Sequence, residues 1–268
     1  MTSEQRIRAY IGAGWNTVDG WLDRYSARFI ADLTHVQHQR AVSGAFGEIG
    51  VHHGKLFILM RLAAPEDRCF AIDVFDDQHL NVDGSGGVEA GKREKFLRNV
   101  VRWTGSIDGV SLIQKSSLDV TPEFLVGQVG MCRMISIDGG HTEQCTLNDL
   151  KLSQAVLRNG GVAIVDDCFD EGWPDVATGV AKYCLDPSTS LRPFAISPNK
   201  VYFANPDHHI SYKAQLRSLH EINVRRVNRM FGYEVIIFRR HRPARLHERI
   251  KRFLRAKLSR RTHQSRPA

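Results

Sequence analysis

Short apolar runs alternate with amphipathic segments along most of this chain of 268 residues. The apolar runs predict strands that end near residues 50, 75, 114, 137 and 165. Segments with apolar residues at three- and four-residue steps lie between several of these strands and predict helices. Two further runs, 191–197 and 200–205, flank a Ser-Pro-Asn turn and predict an antiparallel hairpin. This alternation of strands and helices is typical of an α/β fold.

The stretch from Met134 to Asp167 contains the clearest unit, which is a strand, a helix and a second strand. The helix is predicted to include Leu157 and to stop at Gly160-Gly161. A crossover of this length joins two parallel strands, and their carboxyl ends therefore lie on the same edge of the sheet. Open α/β sheets bind their ligands at that edge.

Both strands of this unit end in acidic residues. Asp138 and His141 follow the first strand, and Asp166 and Asp167 follow the second. If the strands are neighbours, they lie about 4.8 Å apart, so these four side chains would reach one small ion or substrate. Carboxylate oxygens suit Mg²⁺, Mn²⁺ or Ca²⁺. Helix capping and loop solubility are the alternative explanation for such acids.

The stretch 45–55 places Glu48 in a strand that ends in a glycine turn. Gly50 and Gly54 would let the backbone approach a ligand at the start of the next helix. Their ExGxxxG spacing differs from the dinucleotide fingerprint GxGxxG and is the form found in S-adenosylmethionine (SAM) sites; a plain tight turn is the alternative. Asp73 ends the following strand, where an acid can accept hydrogen bonds from ribose hydroxyls. The two features together predict a nucleoside site.

Three loops surround the predicted site. The polar, glycine-rich loop 76–91 is either a lid over the site or a surface insertion. The loop 116–119 lies where the adenine end of a nucleoside would lie, which makes Ser117 an expected contact. Trp173, in the loop after Asp167, either covers the site or packs the start of the next helix.

The basic residues are concentrated near the end of the chain. From Arg239 onward, the chain has twelve Lys or Arg residues and one acid, Glu248, which gives this part a net charge of +11. The first 238 residues have a net charge of −3, and the two parts together give the total of +8. Apolar residues from Leu246 to Leu258 fall on one helical face, which fits either a basic amphipathic helix on an anionic membrane or a solvated tail. Nucleic-acid binding is disfavoured because the body is acidic and Phe253 is the tail's one aromatic residue.

The remaining bulk features indicate the compartment. The chain contains no run of 18 apolar residues, and its first ten residues lack a signal-peptide core. Its five cysteines form no CxxC pair and are expected to be reduced thiols. We therefore expect a cytoplasmic protein, with the basic tail as its route to the inner membrane face; assembly into a homo-oligomer is left open.

The same patterns divide the chain into three segments. Residues 1–40 carry apolar residues at helical spacing and form an expected N-terminal helical segment. Residues 41–207 hold the strands and the site residues and form the expected binding domain. Residues 208–268 are expected to form a helical, basic, amphipathic extension.

Four sequence blocks carry a resemblance to a known family. They are GEIGVHHGK at 47–55, AIDVFDDQ at 71–78, IDGGHTEQCTLNDL at 137–150 and LRNGGVAIVDD at 157–167. These blocks resemble class I SAM-dependent methyltransferases, in the branch of macrolide-sugar O-methyltransferases such as the macrocin and mycinamicin enzymes. The resemblance covers residues 45–205. It implies a Rossmann-like, doubly wound, mostly parallel sheet of seven strands with an antiparallel hairpin at one edge.

The resemblance also implies roles for single residues. It places Mg²⁺ on Asp138, Asp166 and Asp167 and makes His141 the general base. SAM is expected to contact eight residues: Glu48, Gly50, His53, Gly54, Asp73, Val74, Ser117 and Asp138.

These expectations define a function and its alternatives. We predict metal-assisted transfer of a methyl group from SAM to a hydroxyl of a sugar or glycosylated small molecule. A bound divalent cation favours the alkoxide, and a neutral histidine can accept its proton near neutral pH. The alternatives are a metal-independent methyltransferase with another small-molecule acceptor, and a non-catalytic protein that binds SAM or another nucleoside.

Overall fold

The computed structural model describes residues 1–85 and 90–240. Within these residues one sheet contains nine strands, which are β1 Ala45–Ile49, β2 Cys69–Asp73, β3 Val110–Gln114, β4 Cys132–Ile137, β5 Leu157–Asp166, β6 Arg192–Ser197, β7 Lys200–Ala204, β8 Val224–Met230 and β9 Tyr233–Phe238. The α-helices are α1 Ser3–Gly12, α2 Arg24–Gln39, α3 Lys55–Ala63, α4 Lys92–Thr104, α5 Pro122–Val129, α6 Glu143–Val156, α7 Pro174–Leu185 and α8 His209–Leu219.

The strand order is β3-β2-β1-β4-β5-β7-β6-β9-β8. The first five strands in this order are parallel, and β7 runs antiparallel to both β5 and β6. Helices α1–α4 and α8 pack on one face of the sheet, and α5–α7 pack on the other, so each face has its own apolar core. The predicted α/β, Rossmann-like, doubly wound and mostly parallel fold is confirmed.

The strand count and the sheet edge differ from the prediction. The sheet has nine strands rather than seven, and the β6–β7 hairpin lies inside it because β9 pairs in parallel with β6 and β8 forms the edge. Strand β9 buries Val235, Ile236 and Phe238, whereas β8 buries none of its side chains. An edge strand with no buried face has no apolar alternation, so the sequence pattern could not reveal it.

The central helix ends earlier than predicted. Helix α6 begins at Thr142, whose hydroxyl oxygen accepts a hydrogen bond from the Cys145 amide at 3.2 Å. It ends at Val156, and Leu157 already has an extended backbone and pairs with Cys132 of β4. The predicted stop at Gly160-Gly161 is therefore wrong, since both glycines lie within β5.

The two terminal segments, 1–40 and 208–268, were both predicted to be helical, and they differ in the secondary structure that the described residues adopt. The segment 1–40 contains α1 and α2, and the Tyr10 hydroxyl of α1 donates to the Lys55 carbonyl at 2.8 Å, which ties this segment to α3. In the segment 208–268 only α8 is an α-helix among the described residues, because β8 and β9 follow it. The amphipathic helix predicted between Leu246 and Leu258 lies outside the described residues, and its membrane contact stays a prediction.

The structure also describes the cysteines and the apolar character of the helices. All five cysteines are buried, and none of them forms a disulfide bond in this structure. In the described part of the chain, no helix combines the length and the apolar character needed to cross a membrane.

Candidate active site

A cavity of about 450 Å³ opens at the carboxyl ends of the parallel strands. Loops after β1, β2, β3, β4 and β5 each contribute side chains to its wall. Its size falls in the range of small-molecule sites, about 300–1,000 Å³. Nine of the eleven predicted site residues line it: Glu48, Gly50, Asp73, Val74, Ser117, Asp138, His141, Asp166 and Asp167. The predicted edge of the sheet is therefore the edge that carries the cavity.

Gly50 allows β1 and β4 to end side by side. Its φ angle is +82°, and a Cβ built on it would lie 1.9 Å from the carbonyl oxygen of Asp138. The Asp138 amide in turn donates to the Ile49 carbonyl at 2.8 Å. No side chain fits between these two backbones, so the cavity floor requires glycine at position 50.

Two predicted cofactor contacts do not line the cavity. Gly54 has a φ angle of +88° and begins α3, where a Cβ would lie 3.0 Å from the Phe96 ring. His53 is buried, and its Nδ1 lies 3.6 Å from a carboxylate oxygen of Asp19. His52 lines the cavity in place of His53, because its own φ angle of +46° turns the chain at that point. Gly54 thus packs against α4, and its predicted contact with the cofactor is not supported.

The Asp73 carboxylate is fixed by backbone donors. One oxygen accepts from the His52 amide at 2.9 Å, and the other accepts from the Phe75 amide at 2.7 Å. Burial raises the pKa of Asp73, although these hydrogen bonds oppose the shift. A carboxylate has about four acceptor positions, so each oxygen keeps capacity for a further donor from the cavity side.

Glu48 is a buried acid that also faces the cavity. Its side chain is 2% exposed, and among the described residues none donates a hydrogen bond to its Oε2. Burial raises the pKa of Glu48 well above its ordinary value, and the carboxylate of Asp138 adds to the shift. A buried carboxyl oxygen without a partner indicates a ligand that carries a hydrogen-bond donor or a positive charge.

Asp138, His141 and Asp167 form a compact group at the other end of the cavity. One ligand atom from each lies within 4.8 Å of the other two. The Nε2 atom of His141 is 3.3 Å from Asp167 Oδ2 and 3.8 Å from Asp138 Oδ1. Burial opposes protonation of His141, but hydrogen bonds to Asp138, Asp167 and Asp83 outweigh it and raise its pKa to about 11. The neighbouring carboxylates thus favour the protonated imidazole in this arrangement.

Asp166 is not part of this group, although it was predicted to share a metal with Asp138 and Asp167. It lies opposite Lys200 in the β5–β7 pairing, and the Lys200 ammonium donates a hydrogen bond to its carboxylate. Both side chains are buried. Burial alone would lower the pKa of Lys200, but the carboxylates of Asp166 and Asp138 outweigh it and raise that pKa. The Asp166 carboxyl group is thus already paired with Lys200.

Sequence reasoning assigned no role to two side chains at this end of the cavity and left the role of a third open. Lys200 is one, and its only sequence signal is a charged residue at the start of an otherwise apolar strand. Asp83 is the second; it belongs to the loop noted as a lid, and its carboxylate reaches His141. Trp173 is the third, and its ring stacks on His141 with centroids 4.3 Å apart and planes at 19°. The interpretation of Trp173 as a cover over the site agrees with this contact.

Comparison with known proteins finds a match for the central segment of the chain. Residues 48–168 match a family model described as a methyltransferase domain. No curated protein matches the chain at a significant level.

Solved structures, including two described as methyltransferases, share the fold. The O-methyltransferase NovP is 19% identical, with a TM-score of 0.57 over 67% of this chain and 79% of its own. The calicheamicin methyltransferase CalS11 is 15% identical, with a TM-score of 0.51 over 75% of this chain and 91% of its own. The cofactor-bound protein Rv0187 from MTB is 16% identical, with a TM-score of 0.50 over 75% and 87%. At these identities the likeness establishes the fold.

Proposed function

We propose that this protein is a SAM-dependent O-methyltransferase that acts on a hydroxyl of a sugar or a glycosylated small molecule. One observation carries the proposal: a single cavity joins a nucleoside-type end, formed by Gly50 and Asp73, to an acid–imidazole end formed by Asp138, His141 and Asp167. Methyl transfer needs both ends, because the cofactor and the acceptor hydroxyl must meet within one enclosed space. The match of residues 48–168 to a methyltransferase domain supports the same conclusion.

The residues of the nucleoside end fit SAM. Asp73 offers acceptor oxygens to the two ribose hydroxyls, and Ser117 lines the wall after β3 where the adenine would lie. The unpartnered Oε2 of Glu48 suits the α-ammonium group of the methionine part. A buried acid that lacks a partner is costly, so a cationic ligand would compensate for the burial of Glu48.

The residues of the acidic end fit a divalent cation. Two carboxylates and an imidazole within 4.8 Å of one another are ligands that Mg²⁺ or Mn²⁺ accepts. Asp138 and Asp167 would hold the ion, and Asp166 would remain paired with Lys200. A cation bound there would lower the pKa of an acceptor hydroxyl and offset the carboxylates that keep His141 protonated.

His141 is the proposed general base of the reaction. Its Nε2 atom faces the two carboxylates, and Trp173 stacks on the ring and limits its rotation. The acceptor oxygen forms a bond to the methyl carbon while the bond from that carbon to sulfur breaks, and the electron pair stays on sulfur to give S-adenosylhomocysteine. With the imidazole in its neutral form, which a bound cation would favour, the hydroxyl proton passes to Nε2, so charge and atoms balance.

A metal-independent methyltransferase is the second candidate. The observation that favours it is Lys200, whose buried ammonium lies beside Asp166 and raises the positive potential near Glu48 and Asp138. A resident ammonium can supply part of the charge that a metal ion would otherwise supply. Direct measurement of cation binding separates the two candidates.

Replacement of Asp73 by alanine is expected to weaken SAM binding by about 10- to 100-fold. The reason is the loss of the ribose hydrogen bonds, since bonds to a charged group contribute about 1.5–3 kcal/mol. The dissociation constant can be measured by equilibrium dialysis with labelled SAM. The matched control is Asp77→Ala, because Asp77 lies in the loop just after β2 and its carboxylate accepts a hydrogen bond from Gln114 without lining the cavity. Equal affinity of the two variants would refute the assigned role of Asp73.

Replacement of Asp167 by asparagine is expected to weaken Mn²⁺ binding by about tenfold or more, because one charged ligand is lost. Asparagine tolerates the positive φ angle of 56° at this position, so the backbone should be retained. Calorimetric titration with Mn²⁺ measures the change, and Asp175→Asn in the first turn of α7 is the control. If the native protein binds no Mn²⁺, the metal-independent candidate takes precedence.

A further inference from the structure

The loop after β2 delivers an acidic side chain to His141. Asp83 lies in this loop, and its side chain is 4% exposed. Its Oδ2 atom accepts a hydrogen bond from the His141 amide at 2.7 Å and lies 2.5 Å from the Nδ1 atom of the same residue. A single carboxylate oxygen thus contacts both the backbone and the ring of the proposed base.

Asp83 is itself held in place by its own loop. Its second oxygen accepts from the Ser85 amide at 2.7 Å. The Asn81 side chain donates to the Ser85 carbonyl at 2.6 Å and to the Gln78 side chain at 3.2 Å. Gln114 of β3 donates to Asp77 at 2.9 Å, which anchors the start of the loop to the sheet. The carboxylate therefore approaches His141 from a fixed support.

The contact between Asp83 and Nδ1 determines which ring nitrogen of His141 points into the acidic end of the cavity. With Nδ1–H directed at Asp83, Nε2 is the nitrogen that lies toward Asp138 and Asp167. Trp173 stacks on the ring and fixes its plane. A histidine base is effective only when its other nitrogen has a fixed partner, because that partner sets the tautomer and the ring orientation.

We propose that Asp83 is a positioning residue that holds Nδ1–H of His141 and so keeps Nε2 directed at the hydroxyl to be methylated. The role rests on the proposed function, because it assigns His141 as the base of that reaction. An acid that only keeps a loop soluble would be exposed to solvent. The Asp83 side chain is instead buried, with one oxygen bonded to His141 and the other to the Ser85 amide. Asp83 therefore acts through His141 and does not itself contact the acceptor.

The test is a spectroscopic signature of His141 in the full-length protein. Histidine is labelled with ¹⁵N, and the Nδ1–H signal of His141 is assigned by its loss in His141→Gln. We expect a strongly downfield Nδ1 proton in the native protein, loss of this signal in Asp83→Ala and a smaller displacement in Asp83→Asn. His79→Gln, at an exposed position of the same loop, should leave the signal unchanged. An unchanged signal in both Asp83 variants overturns the proposal.

Two further readouts separate this proposal from the proposed function. The dissociation constant of SAM should stay within about twofold in Asp83→Ala, since Asp83 does not line the cavity and bonds to His141 and Ser85. With an acceptor that the native enzyme methylates, kcat should fall by about 10- to 100-fold at an unchanged KM for SAM. Unchanged kcat overturns the positioning role, whereas failure of the native protein to bind SAM overturns the proposed function on which that role depends.

Discussion

Replacement of Lys200 by methionine is expected to lower the free energy of unfolding by about 3–5 kcal/mol. The Lys200 ammonium is 2% exposed and pairs with Asp166, which is 5% exposed, across the antiparallel β5–β7 register. Methionine fills a similar volume but leaves the Asp166 carboxylate buried without a cation. The cost is the unpaired charge rather than lost packing, so adding Asp166→Asn to Lys200→Met should restore most of the stability.

Urea denaturation followed by circular dichroism measures this loss. The control is Lys213→Met, which removes an ion pair to the solvent-exposed Glu234 and should cost little stability. A loss for Lys200→Met as small as that of the control would contradict the buried pair. Without that pair, Asp166 would again be free to join Asp138 and Asp167.

Replacement of Gly50 by alanine is expected to cost at least about 3 kcal/mol of stability and to abolish SAM binding. The new Cβ would lie 1.9 Å from the Asp138 carbonyl oxygen, which is backbone and cannot move without separating β1 from β4. The positive φ angle of 82° adds strain for any residue other than glycine. Because Glu48 and Asp138 flank this contact, separation of the strands would displace both walls of the cavity.

The matched control for this prediction is Gly127→Ala. Gly127 lies in α5, and a Cβ built there meets no atom within 4 Å. Alanine in a helix is expected to stabilise the protein by about 0.5–1 kcal/mol relative to glycine. If Gly50→Ala were as stable as Gly127→Ala, the close approach of β1 to β4 would be refuted.

The sequence predicted those site residues that lie at the carboxyl ends of parallel strands. Glu48, Gly50 and Asp73 lie at the ends of two neighbouring parallel strands, and such ends meet at one edge whatever the details of packing. Asp138 and Asp167 lie directly after β4 and β5, which are also neighbouring parallel strands, so they meet at the same edge. His53 was predicted to contact the cofactor because the amino-acid sequence does not reveal the geometry of the turn. In the structure His52, which has a positive φ angle, lines the cavity instead of His53.

The remaining parts depend on long-range pairing that no local pattern encodes. Lys200 meets Asp166 only because β7 turns back along β5. Asp83 meets His141 across 58 residues of chain, through a loop with no regular period. The edge strand β8 is rich in arginine and buries no side chain, so neither apolar alternation nor composition distinguishes it from a loop.

The central claim is that the cavity takes a nucleoside that carries a cationic amino-acid group, which is SAM. The most direct measurement is calorimetric titration of the native protein with SAM and, in parallel, with adenosine. Glu48 lies where the ammonium group would bind, so we predict one SAM per chain, bound at least about tenfold more tightly than adenosine. Absence of SAM binding, or equal affinity for the two ligands, would contradict the assignment of this cavity as a SAM site.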